Sequence, residues 1–486
     1  MTSSAPRPAS EIPGPKQHPI LGWRGNVIKV MIDPLVTLQR LRDEFGDVVT
    51  PVGGGITPES VGTVFVFGSE LNRQVLTDAE TFESTALMTS LHVDEGSSQR
   101  ADVLRHMGTG LFALNGPDHR RMRGLVMPAF HARNVGEYHD DVVRITSRLL
   151  DRWSESQRRD ISQDMSVLVL LSLGKCLFGL EMDAEARRLG LLLRQWFNAP
   201  ADPAVVLFKK DLWGTPYRRF LDTTLELDEY CRDLIADRRS NPGNRDDLLS
   251  RLLRARDKSE GADLTEEELL GHVVIFLLAG QPTMANCLTW TLFLLAQHGA
   301  VMQELAAELK TVLGDRPPTP DVLPELKFLD CVIKESLRIM PPVPMMGRHV
   351  TRPVELGGYM LQPGTVVVCS NYHTHLDPAI YDQPKKFNPW RWQSISPSLH
   401  EYMPFGAGVH GCIGASLAGL LTRIVVPMVL QRFRLECVPN SKIDPAVGLA
   451  ISPRRGLPML VRHKDVPLTA ARISGKIHHC IDLPLS

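Results

Sequence analysis

The residue of this chain best placed for chemistry is a cysteine at the mouth of a helix. In Phe405-Gly-Ala-Gly-Val-His-Gly-Cys-Ile-Gly414, Cys412 is reached through a glycine-rich loop and followed by an apolar helical run. Gly406 and Gly408 permit backbone turns that side chains resist, which brings amide N–H groups toward the sulfur. The positive end of the following helix favours an anion, so Cys412 reads as a thiolate at neutral pH and a candidate metal ligand. Hydrogen bonds to the sulfur and a covering ring from Phe405 would tune a metal held there. The same stretch satisfies GxGxxG through Gly406, Gly408 and Gly411, with Glu436 after a strand-like run. Against a dinucleotide site, His400, Glu401 and Pro404 stand where a buried strand is required, and only fifty residues follow Glu436.

The elements that must hold this cysteine are mostly helices. The first hundred residues mix a helix, Pro34 to Phe45 closed by Gly46, with β-like runs such as 62–68. From Gly116 to about Met340 the pattern is helical, including 135–153, 223–239 and 266–298. The last of these opens on Thr265-x-x-Glu268, the spacing of a capping box, and would be about 50 Å long. Between Leu269 and Ala296 it carries no Asp, Glu, Lys or Arg. That run is long enough to span a bilayer. His272, the Gly280-Gln281-Pro282-Thr283 interruption and Asn286 instead favour a helix buried in a large protein beside a functional pocket. Prolines at 341, 342 and 344 then open an irregular region, followed by a strand-like 365–369, a final apolar helix from Ile413 to about Leu430, and β-like 433–438 and 459–461. The expected architecture is mainly α with a minor β part: a flexible strap at 1–22, a single domain at 23–465 and an appended tail at 466–486.

Composition narrows the class. The 486 residues are 43% hydrophobic and 22% charged, a globular balance able to enclose a cofactor. With 54 basic and 55 acidic residues the net charge is −1, which argues against a nucleic-acid partner. Eight dispersed cysteines with no CxxC pair argue against a zinc ribbon, a thioredoxin-type site or an iron–sulfur module, and fit a reducing cytoplasm. The N-terminus has no apolar segment of a signal or anchor. Zinc sites from His373, His375 and Cys480, or from His478-His479-Cys480, lack convergent spacing, and a disordered tail accounts better for the latter.

Four stretches together resemble the cytochrome P450 family. Phe405-Gly-x-Gly-x-His-x-Cys-x-Gly is similar to its haem loop, Glu335-Ser-Leu-Arg338 to its ExxR helix, Phe387-Asn-Pro-Trp-Arg391-Trp392 to its meander, and His119-Arg-Arg-Met-Arg123 to its propionate-binding helix. They occur in the family's order over roughly residues 10 to 465. The resemblance implies haem b (iron protoporphyrin IX), sandwiched between the long central helix and the cysteine-loop helix. It implies Cys412 as the axial metal ligand, with Phe405 and Gly406 beside it. His119, Arg123, Arg348 and His410 would receive the propionates, anions that need paired cations out of water. Glu335, Arg338 and Arg391 would form a structural network beneath the haem.

One stretch departs from the family. The oxygen-binding helix should read Ala-Gly-x-(Asp/Glu)-Thr-Thr, and this chain has Ala279-Gly280-Gln281-Pro282-Thr283-Met284. Ala279 and Gly280 would leave room for dioxygen and Thr283 would supply the alcohol, but Pro282 can neither ionise nor donate. A general acid contributes about a hundred- to ten-thousand-fold, so water would have to relay protons through Thr283 or Gln281. The implied activity is a soluble haem-thiolate monooxygenase, an oxidoreductase taking O2, a hydrophobic small molecule (lipid, terpenoid, steroid or polyketide) and electrons from a ferredoxin and its reductase. The alternative is a peroxygenase or hydroperoxide-converting enzyme, for which the acid is dispensable; a haem sensor or electron carrier would not need a glycine opposite the iron. Substrate contacts are expected from 82–111, 196–217, the central helix, 343–347 and 449–451.

Overall fold

The uncharged run becomes the middle of the longest helix, Glu266–Gln297, around which the other elements pack. The structure is a computed structural model that describes residues 5–51, 62–84, 98–107, 110–131, 135–181, 186–199, 202–243, 247–254, 264–467 and 469–484. In chain order, its helices include α1 (Trp23–Ile32), α2 (Gly116–Phe130), α3 (Ile161–Phe178), α4 (Pro203–Leu207), α5 (Pro216–Ser240), α6 (Glu266–Gln297), α7 (Lys327–Ile339), α8 (Asn371–His375) and α9 (Ala415–Arg432). Helix dominates and strands are short, as expected for a mainly α fold.

Helix α6 starts where its cap dictates. Thr265 Oγ1 accepts from Glu268 N–H (3.1 Å) and the Glu268 carboxylate accepts from Thr265 N–H (2.9 Å), which satisfies two otherwise unpaired donors. The helix continues through Pro282, which has no N–H to offer the Leu278 carbonyl. Helices α3, α6 and α9 are long and apolar enough to cross a membrane by length and composition, yet all three are largely buried inside the fold, α6 over 83% of its most apolar window.

The principal sheet has five strands: β1 (Val48–Val49), β2 (Thr63–Val66), β3 (Phe82–Ser84), β4 (Met346–Val350) and β5 (Val366–Cys369), in the order β1-β2-β5-β4-β3. Only β2 and β5 run parallel; the other pairs are antiparallel. Arg348 lies opposite Ser84 on one side and Val367 on the other, so β4 carries this cation into the interior.

Both chain ends depart from expectation. The described part of the N-terminal strap is tied down: Arg7 and Pro8 pair in parallel with Tyr359 and Met360, and Thr50 N–H donates to Pro13 O. Residues 469–484 are not a loose tail either. Ile473, Ile477, Cys480 and Ile481 join the main core, Ile443 N–H donates to Ser474 O, and Asp482 N–H donates to Lys385 O. Four apolar side chains in nine residues bury enough surface to hold the segment down.

Helix α8 yields a pH prediction. His373 and His375 are fully buried: Ser370 Oγ donates to His373 Nδ1 (2.6 Å) and His373 Nε2–H donates to Leu35 O (2.9 Å). His375 Nδ1–H donates to Arg338 O (3.2 Å), and its Nε2 accepts from Met403 N–H (2.9 Å). These bonds suit neutral rings, and burial lowers the pKa of His373 to about 4 and of His375 to about 3. Because the folded values lie below the unfolded value near 6.5, the unfolded chain protonates first. Their contribution is complete above that value and is lost as pH falls toward 4 and 3. At about 1.4 kcal/mol per unit, each histidine should cost about 2 kcal/mol of stability by pH 5. Urea unfolding at pH 7.5 and pH 5 checks this; equal stabilities would show that the rings are not held neutral.

Candidate active site

Among the described residues Cys412 is the one exposed cysteine; six others are buried and Cys331 is intermediate. Its loop is set by backbone bonds: Gly406 N–H donates to Met403 O (3.1 Å), Gly411 N–H to Gly408 O (3.1 Å), and Cys412 N–H to Phe405 O (2.7 Å). Gly406 and Gly408 adopt φ of +72° and +71°. A Cβ on Gly408 would stand 2.1 Å from Leu76 O, so no side chain fits there. The sulfur accepts from the N–H groups of Gly414 and Ala415 at the start of α9. Even so, burial pushes the Cys412 thiol up, against those two amides and Arg123. The expectation of a free thiolate is corrected on this point. The sulfur is reachable from one side yet too deep for water to carry its charge, so the anion needs a cation against it.

Helix α6 passes beside this loop: Met284 Cε would be 3.7 Å, and Cys412 Sγ 3.9 Å, from a Cβ built on Gly414. From Leu269 to Gln297 every residue of α6 is buried except Ala279, Gly280 and Thr283. The gap in the packing therefore falls at the positions singled out from the sequence. Thr283 Oγ1 donates to Ala279 O (2.6 Å), one turn back on the same face. Two of these positions also meet α3. A Cβ on Gly280 would meet Leu173 Cδ1 of α3 at 3.0 Å, so this glycine lets α3 approach α6. Gln281 Nε2 donates to Ser166 Oγ (2.6 Å) and Ser166 O (3.1 Å), also on α3. Two residues along a helix is about 200° of rotation, so Gln281 and Thr283 face different ways, with the Gln281 amide N–H engaged by Ser166.

His119, Arg123, Arg348 and His410 come together. The His119 and His410 rings are 4.1 Å apart between centroids. Burial lowers the pKa of both, to about 3 for His410, where His119, Arg348 and Arg123 add to the effect. Arg348 is buried, its guanidinium donates, among the described residues, to Gly347 O alone (2.7 Å), and burial lowers its pKa as well. Among the described residues no carboxylate answers any of the four. A buried guanidinium is not left without an anion in a stable fold, so this cluster fits the paired carboxylates of a bound group. Arg121, on the neighbouring face of α2, bonds Glu268 (2.6 Å) and ties α2 to the start of α6.

Beneath the loop, Glu335 is fully buried and accepts five hydrogen bonds. They come from Arg338 Nε (2.9 Å) and Nη2 (2.8 Å), Arg391 Nε (3.0 Å), Asn388 N–H (3.0 Å) and Trp392 Nε1 (2.9 Å). Sequence reasoning missed how this network reaches the cysteine loop. Arg338 Nη1 donates to His375 O (2.7 Å) and His375 Nε2 accepts from Met403 N–H, two residues before Phe405. A histidine with one polar neighbour in sequence gives no local sign of such a role. The zinc readings fail in the same geometry: His373 and His375 have separate partners, Cys480 lies in the core, and no cluster of metal-ligating side chains exists among the described residues.

The expected substrate segments converge in part. Ile451 N–H donates to Pro342 O (2.8 Å), Trp290 Nε1 to Ile451 O (2.9 Å) and Leu449 N–H to Phe197 O (3.4 Å). Of 82–111, residues 85–97 and 108–109 lie outside the described residues, as do 200–201 of the second segment. Within 196–217, Trp196 is buried and donates to Thr224 Oγ1 (3.1 Å), whereas Phe208, Leu212 and Trp213 face solvent.

A family model described as Cytochrome P450 matches residues 12–457. The chain is similar to cyclooctatin synthase of Streptomyces melanosporofaciens, 31% identical over 400 residues that cover 80% of this chain and 84% of the relative. It is similar to cyclooctat-9-en-7-ol 5-monooxygenase of the same organism, 32% identical over 382 residues, or 77% and 80% of the two chains. Pentalenene oxygenase of Streptomyces avermitilis is 29% identical over 404 residues, or 79% and 85%.

Proposed function

The chain belongs to the cytochrome P450 family, a monooxygenase whose cofactor is haem b, and from that premise we propose that Cys412 is its axial ligand and that a hydrophobic, terpenoid-class molecule is its substrate. The observation that carries the site assignment is the acid-free cluster of His119, Arg123, Arg348 and His410 beside the cysteine loop, which would hold the propionates. Relatives named for cyclooctatin and pentalenene support the substrate class. Electrons would come from separate proteins, a ferredoxin and its reductase, in the cytoplasm.

When bound, the haem supplies the redox-active iron at which dioxygen is activated and one oxygen atom passes to the substrate. The chain's own residues must fix the sulfur and manage protons. Gly414 and Ala415 N–H groups orient Cys412 Sγ. Thr283 is the proton-handling group facing the gap in α6: its hydroxyl donates a hydrogen bond to Ala279 O, and its lone pairs can accept from water. Pro282 supplies no acid, so that water must carry the proton.

Thr283→Ala should lower product formation driven by ferredoxin and reductant about a hundred-fold, with reductant diverted to hydrogen peroxide. Turnover driven by added hydrogen peroxide should change little. The missing acid at Pro282 favours one second reading, a peroxygenase. Wild-type turnover with hydrogen peroxide that matches or exceeds turnover with reductant would establish it in place of the first.

A further inference from the structure

The match to the family model ends at residue 457, and the chain beyond it returns to the elements that support the cysteine loop. Residues 469–484 are fastened first to 440–444. Asn440 N–H donates to Arg472 O (2.7 Å), Ser474 N–H to Ser441 O (2.9 Å), Ile477 N–H to Ile443 O (3.1 Å) and Lys476 N–H to the Asp444 carboxylate (2.9 Å). Lys476 Nζ also pairs with Asp33, just after α1 (2.7 Å). Gly475, at φ +111°, permits this approach, since a Cβ there would stand 2.4 Å from Ile443 O. Ile477 and Ile481 are fully buried, and Cys480 lies beside Tyr372 of α8. Asp482 then pairs in parallel with Lys386, its N–H donating to Lys385 O (3.0 Å).

What this segment grips has a second set of partners. The Lys386 carbonyl accepts from Arg338 Nη2 (3.4 Å) and Arg391 Nη2 (3.3 Å). Those of Asp382 and Gln383 accept from Arg391 (2.8 and 3.4 Å). Residues 382–386 are irregular, and four of their five side chains are exposed. Side-chain packing therefore does little to place them; their backbone is held by the two arginines and by the final segment. The grip on α8 serves the same end. Tyr372 stands one turn before His375, whose ring accepts from Met403 N–H (2.9 Å), two residues before Phe405. A loosened 382–386 would deprive Arg338 and Arg391 of carbonyl partners, a loss that buried guanidinium groups tolerate poorly.

We propose that residues 469–484 are a positioning brace for the thiolate site: they hold 382–386 and α8, and through Arg338, Arg391 and His375 the loop that presents Cys412. The proposal rests on Cys412 as the haem ligand. In the full-length holoenzyme, Asp482→Pro removes the N–H given to Lys385 O at a position whose side chain is exposed. Ile481, extended at φ −139° and ψ 136°, accommodates a following proline. This variant should transfer haem to apomyoglobin, and lose the thiolate signature of its ferrous carbonyl, roughly tenfold faster than wild type. Lys476→Ala, which removes the Asp33 pair, should act in the same direction by about threefold, and Lys476→Arg should restore the wild-type rate. Both changes should precede any loss of far-UV circular dichroism, and Cys480 should be alkylated faster as the segment lifts. Haem leaving Asp482→Pro at the wild-type rate would overturn the brace, as would haem lost only together with helix content. A wild-type protein lacking the thiolate signature would overturn the ligand assignment beneath it, a separate failure.

Discussion

Replacing Cys412 by alanine is expected to abolish reductant-driven oxidation, by more than about a thousand-fold or 4 kcal/mol of barrier, and to remove the thiolate signature from the ferrous carbonyl spectrum. The reason lies in what converges on the sulfur. Two amide N–H groups at the start of α9 point at it, Arg123 lies near enough to favour its charge, and burial alone holds it as a thiol. That environment favours an anion only when a metal cation is present, and then supplies electron density to it. Cys412→Ser keeps the backbone and tests the element alone: a harder oxygen should leave haem bound through the cationic cluster with an altered spectrum. A Cys412→Ala protein that kept the thiolate-type spectrum would sink the ligand assignment.

The second large effect is expected at Glu335. Glu335→Gln retains size and some hydrogen bonds but leaves two buried guanidinium groups without their counter-charge. Breaking a buried pair in this way costs about 3–5 kcal/mol, a large part of the 5–15 kcal/mol typical of a folded chain. Chemical denaturation should register that loss, and haem should leave faster, because Arg338, His375 and Met403 join the network to the cysteine loop. Arg432→Ala removes a surface partner of Asp151 (2.8 Å) and should cost under about 1 kcal/mol. If Glu335→Gln proved as mild as Arg432→Ala, the network would not be what supports the loop.

Pro282 shifts the unsettled chemistry to the other face of the site. With no acid on α6 at that position, and with Gln281 turned to Ser166, Thr283 is the proton-bearing group of the motif that faces the packing gap. The comparison of reductant-driven and peroxide-driven turnover tests that arrangement directly.

Sequence by itself determined the features whose cause is local. Glu335 and Arg338 stand three residues apart on one helix face, Thr265 and Glu268 cap α6 by spacing alone, and the glycines of the cysteine loop are required by backbone angles. The long uncharged run could only be a buried or spanning helix. Tertiary structure alone decided features whose partners lie far away in the chain. Gln281 meets Ser166 115 residues earlier, His375 meets Met403 28 residues later, and the final segment packs against 385 and 443. The protonation of Cys412 belongs to the same class. Helix dipole and amides are visible in sequence and favour the thiolate, whereas desolvation depends on how the whole fold closes over the sulfur, and here desolvation is the larger effect.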